Sequence, residues 1–228
     1  MITFHIISLF PESLDSYVNS SILKRAQERG IVAIKYYNPR DFAKSAKGNK
    51  DLSYAERRVD DRPYGGGPGM VMEALPVIRA IEKAVGKKIR SAKNRAKIKI
   101  IFFSPSGKQF TNVVADSFKK YTDIVLVCGR YEGVDARVKK AFPMTDISIG
   151  EYVLTGGELP AMVVIDTITR RIPGVLGDDN SVEERRVAGS DVYTRPPIIE
   201  YKGKKLSVPK VLLSGHHKKM DEWKKKAR

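Results

Sequence analysis

The sequence predicts an α/β fold built on a parallel sheet with helices on both faces. Three observations carry this. Short, largely apolar runs recur at residues 3–9, 31–37, 98–103, 124–128 and 147–149. Segments with helical spacing separate most of them, and runs that do not alternate belong to strands buried on both faces. The runs at 124–128 and 147–149 each break into a glycine-bearing turn, at Gly129 and Gly150. In such sheets the turns at the carboxyl ends of strands form the ligand-binding crevice.

The first strand covers residues 3–9. Pro11 opens a helix, since its missing N–H costs nothing in a first turn, and the helix runs to about Gly30. Residues 31–37 form the next strand. Periodicity is then lost from Asn38 to Gly69, a stretch holding Asp60-Asp61-Arg62-Pro63-Tyr64-Gly65-Gly66-Gly67-Pro68-Gly69-Met70. So long a glycine-rich loop is uncommon in a compact domain unless it has a task. Tyr64 can stack on a base, Arg62 can reach a phosphate or base edge, and the glycines let a nucleotide lie against backbone. The plainer alternative is a connector.

Leu75, Ile78, Ile81, Ala84 and Val85 place a helix over residues 74–85, which Gly86 ends. Residues 87–99 carry Lys87, Lys88, Arg90, Lys93, Arg95, Lys97 and Lys99 without an aromatic. Such a stripe gives phosphate affinity rather than sequence readout, or is a solvated loop. Strand 98–103 breaks at Ser104-Pro105-Ser106-Gly107, a third strand-end turn. A helix at 111–120 precedes strand 124–128, and a short helix at 134–142 follows it. The helix at 159–172 holds Leu159, Met162, Val163, Ile165, Ile168 and Ile172. It is apolar around so much of its circumference that packing against a second subunit is expected.

Pro173-Gly174 breaks that helix, and residues 177–189 read as a polar linker. The expected division is a main domain over 1–172, a linker over 173–190 and a small, mainly helical C-terminal module over 191–228. The module holds a short strand at 198–201, a turn at Gly203 and a basic terminal helix with Trp223.

A hydrophobic fraction of 42% supports a real core, and a formal net charge of +16 favours a polyanionic partner. No apolar span is long enough for a bilayer, so nucleic acid is the better partner. Cys128 is the only cysteine, which fits a reducing, cytoplasmic setting, and its apolar context reads as structural. The apolar start lacks a basic leader and is expected to be a strand, not a signal peptide.

The glycine turns exclude two common sites. No G-x-x-x-x-G-K-[ST] run and no G-x-G-x-x-G after a strand occurs. The turns hold few cations and carry Glu132, Glu151 and Glu158, which suits a ligand without phosphates, a cationic one included. The alternative is that the glycines only shape tight turns.

Several segments together resemble the bacterial tRNA (guanine-N1)-methyltransferases that modify guanine 37. They are Ser8-Leu9-Phe10-Pro11-Glu12, residues 60–70, Leu126-Val127-Cys128-Gly129-Arg130-Tyr131-Glu132-Gly133, residues 148–160, Ile172-Pro173-Gly174-Val175-Leu176-Gly177, Tyr193-Thr194-Arg195-Pro196 and residues 211–215. The resemblance implies a SPOUT-type domain with a deep trefoil knot, S-adenosyl-L-methionine as methyl donor, and a homodimer with its active site at the subunit interface. It places the donor against Ser104, Pro105, Gly129, Tyr131, Glu132, Gly133, Ile149, Gly150, Glu151, Tyr152, Val153, Leu154, Gly156 and Gly157. It places tRNA near Asp61, Arg62, Tyr64, Gly65, Tyr193, Ser214 and His216. The donor is a phosphate-free sulfonium, in keeping with the turns.

The chemistry asks for little more. N1 of guanine carries a proton at neutral pH, so a carboxylate must take it. Negative charge then builds on O6, where an arginine stabilises it. The resemblance implies Arg170, three residues before Pro173, as that arginine. It implies Glu184 as the base, where the family carries aspartate, with Glu183 as the register alternative. His216 and His217 lack further ligands at metal-binding spacing, so no metal site is expected, while an assisting divalent ion stays open. The family usually extends beyond the tryptophan-bearing helix, and a shorter end here would leave more of the RNA grip to residues 87–99 and the terminal helix. Two alternatives stand beside this reading: a knotted methyltransferase acting elsewhere on RNA, and a non-catalytic RNA-binding relative.

Overall fold

A computed structural model describes residues 1–43, 57–177 and 191–226. The chain divides into two compact units, Met1–Val175 and Leu176–Arg228.

The first unit is α/β. Its five-stranded sheet comprises β1 (Ile2–Ile7), β2 (Val32–Tyr37), β5 (Ile98–Gln109), β6 (Asp123–Val127) and β7 (Thr145–Ser148). The strand order is β2-β1-β6-β5-β7, and every pairing is parallel. The central strands β1 and β6 are buried along their whole length, which is why their sequences do not alternate. Alternation survives in the direction of each side chain. Phe4, Ile6, Ile124 and Leu126 enter one core with residues of α1 (Glu12–Val18), α2 (Ser21–Glu28), α5 (Asn112–Phe118) and α7 (Glu158–Arg170). Ile7, Val125 and Val127 enter the opposite core with α3 (Ala74–Ile89) and α6 (Arg137–Ala141).

A two-stranded ribbon, β3 (Asp60–Asp61) with β4 (Val71–Met72), stands apart from this sheet. A short α4 (Ala92–Arg95) precedes β5. In the second unit β8 (Ile198–Tyr201) pairs with β9 (Lys204–Ser207), and α8 (Lys210–Leu213) and α9 (His217–Lys226) follow. The predicted strand at 198–201 thus has a partner that the sequence left unread.

Three other expectations change. The helix after Pro11 is two helices, divided at Asn19 and Ser20. Gly86 does not stop α3, which runs on to Ile89. An added Cβ there would touch only the Glu82 side chain, so the glycine sits in uncrowded space and costs helix propensity alone. Ser104 and Pro105 lie within β5, not in a turn after it. The register of β5 on β7 slips between Phe103 and Lys108, and the strand then continues to Gln109. Gly107 makes this possible: a Cβ there would lie 2.6 Å from the backbone of Asp146 and Ile147.

Candidate active site

The middle of β5 and the carboxyl ends of β6 and β7 open into one cavity of about 380 Å³. Strands β6 and β7 do not adjoin, because β5 lies between them and contributes Phe102 and Phe103 as a shared wall. The lining gathers Ser104, Pro105, Gly129, Tyr131, Glu132, Gly133, Ile149, Gly150, Tyr152, Val153, Leu154, Gly156 and Gly157 from three separate segments. Of the residues expected around the donor, only Glu151 is not in the wall.

The loops at 129–133 and 150–157 are locked together. The Gly157 amide donates to the Gly129 carbonyl at 3.0 Å, and Arg130 bridges to Gly156. A Cβ on Gly157 would sit 2.5 Å from Cys128 Cα, so only glycine allows this approach. Beside the junction, Glu158 is 4% exposed. Its Oε1 accepts from Ser8 Oγ at 2.6 Å, and its Oε2 pairs with the Arg130 guanidinium at 3.0 Å. The other face of Arg130 lies over the Phe10 ring, 4.7 Å from its centre. Tyr131 holds a left-handed φ of 59°, which costs energy for a non-glycine residue and is sustained by the surrounding bonds.

This network revises the electrostatics read from sequence. Glu158 does not line the cavity; Arg130, which does, neutralises it from the wall. Among the described residues Glu132 is the sole carboxylate in the cavity wall. The Lys139 ammonium is held by Asp146 at 2.6 Å and over the Phe102 ring. Cys128 is fully buried, and desolvation, with Glu158 nearby, pushes its thiol far above the ordinary range. That is a packing residue, as expected, not a nucleophile.

The glycine-rich loop is anchored to the same cavity. The Glu132 amide donates to the Met70 carbonyl at 3.0 Å, the Met72 amide to Gly133 at 2.9 Å, and the Asp135 amide to Met72 at 3.0 Å. Asp61, Arg62, Tyr64 and Gly65 thus stand on a ribbon rooted in the cavity wall, though none of them lines it. Tyr64 is fully exposed at the tip.

Arg170 closes the far end of α7, a helix of 13 residues whose first turn, with Gly157 and Pro160, borders the cavity. At 1.5 Å per residue the arginine lies roughly 18 Å along the axis from that border. The structure does not bring Arg170 to the cavity of its own chain. Glu183 and Glu184 lie outside the described residues. Tyr193, Ser214 and His216 belong to the second unit, where Tyr193 packs against Trp223 at 6.2 Å and Ser214 accepts from the His216 amide. Among the described residues no group of His, Cys, Asp and Glu could hold a metal ion, and no helix is long and apolar enough to cross a membrane.

The sequence reading did not pick out Ser8, Arg130 or Glu158 as one cluster. A carboxylate immediately after Gly156-Gly157 was visible, but its burial depends on the contact between two loops distant in sequence.

Comparison with known proteins is consistent with this geometry. The chain is 44% identical to a tRNA (guanine-N(1)-)-methyltransferase of Clostridioides difficile over 226 residues, covering 97% of this chain and 90% of that protein. It is 46% identical to one of Pelotomaculum thermopropionicum, covering 97% and 82% of the two chains. It is 41% identical to one of Photobacterium profundum, covering 97% and 83%. The family model described as tRNA (Guanine-1)-methyltransferase TrmD matches residues 2–228. The chain belongs to that family.

Proposed function

We propose that the protein transfers a methyl group from S-adenosyl-L-methionine to N1 of guanine 37 in tRNA. The observation that carries this is the convergence of mid-β5 with the loops after β6 and β7 on one cavity, in a chain of this family. The cavity suits the donor by size and chemistry. Its volume lies in the range of small-molecule sites. Phe102, Phe103, Val153 and Leu154 offer apolar surface, and Glu132 offers one carboxylate to a cationic ligand. When bound, the donor supplies a methyl group on a good sulfonium leaving group.

The chain's own residues do the rest. Glu184 takes the N1 proton of the guanine, so that the lone pair points at the methyl carbon. Arg170 stabilises the charge that builds on O6. The ribbon at 60–72 carries Arg62 and Tyr64 toward the RNA. One chain cannot place Arg170 at its own cavity, so the arginine comes from the second subunit of a homodimer. The apolar side chains left exposed beside the cavity support that assembly: Leu159 is 54% and Val163 42% exposed on α7. The sheet, with β5 inserted between β6 and β7, is the frame on which the trefoil knot of the SPOUT class is read.

The test supplies donor labelled on the methyl group and tRNA transcripts with G or A at position 37. Label on the G37 transcript alone is the expected result. Equal labelling of both, or of neither, overturns the assignment.

A further inference from the structure

We infer that the amino edge of the sheet, at the opposite ends of β5 and β7 from the active-site cavity, is a second RNA-binding surface. The inference rests on an RNA substrate but concerns a different face of the first unit. Residues 87–99 bring a dense set of cations and no carboxylate to this edge. The Lys97 carbonyl accepts from the amides of Thr122 and Asp123 at 2.9 and 3.3 Å, which fixes the stripe against Lys119 and Lys120. The carboxylates there are already committed. Asp116 is held by Arg171 and Lys119, and the buried Asp123 by Lys88 at 2.6 Å and His5 at 2.9 Å. Among the described residues Lys93, Arg95, Lys97 and Lys120 have no such acidic partner, and the field they project is that of a phosphate track.

The track borders a second cavity of about 440 Å³. Ile98, Ile100, Phe142 and Met144 give it an apolar wall, with Arg95 and Lys99 at the rim and Tyr121 beside them. The Lys99 ammonium lies over the Phe118 and Tyr121 rings at 5.5 and 5.9 Å. Burial and the neighbouring Lys120 hold it below its usual range, a penalty that an incoming anion relieves. A charged rim around an apolar, aromatic hollow fits an unpaired nucleotide: phosphate on the cations, base against the wall. A plain solvated lysine face would not need the hollow. The two cavities share no lining residue, and their nearest walls on β5, Ile100 and Phe102, stand roughly 7 Å apart along the strand.

The test compares a Lys93→Gln/Arg95→Gln/Lys97→Gln variant with an equally discharged Lys24→Gln/Arg25→Gln/Lys35→Gln control. Binding of full-length tRNA is measured across a salt series. The edge variant is expected to bind at least about tenfold more weakly at physiological salt, with a log–log salt slope shallower by about 2, since each phosphate contact contributes roughly 0.7–0.9. The control keeps the wild-type slope. Met144→Trp, which fills the hollow and leaves the cations, should weaken binding several-fold without changing the slope. A wild-type slope in the edge variant overturns the inference, as does stronger loss of binding to anionic phosphatidylserine vesicles than to RNA. The maximal methyl-transfer rate at saturating tRNA should be unchanged in the edge variant. If the wild-type protein transfers no methyl group at all, the enzymatic reading fails while the salt slopes still decide this one.

Discussion

Glu158 shows what a single side chain does here. Buried with Ser8 and Arg130 as partners, it fastens the loop after β6 to the start of α7. Glu158→Ala leaves the half-buried Arg130 guanidinium without its carboxylate and the Ser8 hydroxyl without its acceptor, at a cost of about 3–5 kcal/mol. For a chain of this size that lowers the thermal midpoint by on the order of 6–12 °C. Glu158→Gln keeps the Ser8 bond and should lose less; wild-type melting of Glu158→Gln would show that the ion pair contributes nothing. For Glu184 the proposed role is proton transfer. Glu184→Gln should lower kcat by at least about 100-fold and leave the Kd for donor within roughly threefold. Full activity in that variant, together with an inactive Glu183→Gln, would move the base by one position.

At the scale of elements, the strands were the most legible part. Burial on both faces leaves a continuous apolar run, and β1 and β6 read directly from theirs, whereas β7 begins at Thr145, two residues before the run at 147–149. What escaped depends on contacts between segments. The extension of β5 through Ser104 needs Gly107 to press on β7, and the partner of β8 has no pattern of its own in Lys204-Lys205-Leu206-Ser207. Gly86 misled because a glycine marks a helix end only where the chain must turn. The site was legible in the same measure: the glycine turns could be named, but the neutralisation of Glu158 by Arg130 could not. The length of α7 leads to the sharpest prediction at this scale. Arg170→Ala and Gly157→Ala chains, each inactive alone, should regain about one quarter of wild-type activity when mixed as unfolded chains and refolded together. Half of the dimers are then mixed and each holds one complete site. No recovery would mean that cavity and arginine serve the same chain.

Across the whole molecule, the cavity is lined by residues of the first unit alone. A chain ending at residue 177 should therefore keep its donor Kd within about threefold. It should bind tRNA at least about tenfold more weakly, having lost Tyr193, Ser214, His216 and the cations of the second unit. Donor binding that vanishes with the second unit would show that the cavity is not self-sufficient. The net charge of +16 foretold the polyanion, but charge carries no address. Which face meets which part of the RNA depends on where the fold has already committed its carboxylates, and that is visible only in three dimensions.

The central claim is that loops far apart in sequence close into one donor site, held by a contact that only glycine permits. Calorimetry with S-adenosyl-L-methionine tests it directly. The wild-type protein should take up one equivalent per chain and Gly157→Ala none, while remaining folded by circular dichroism. Undiminished uptake by Gly157→Ala, or no uptake by the wild type, would contradict the account.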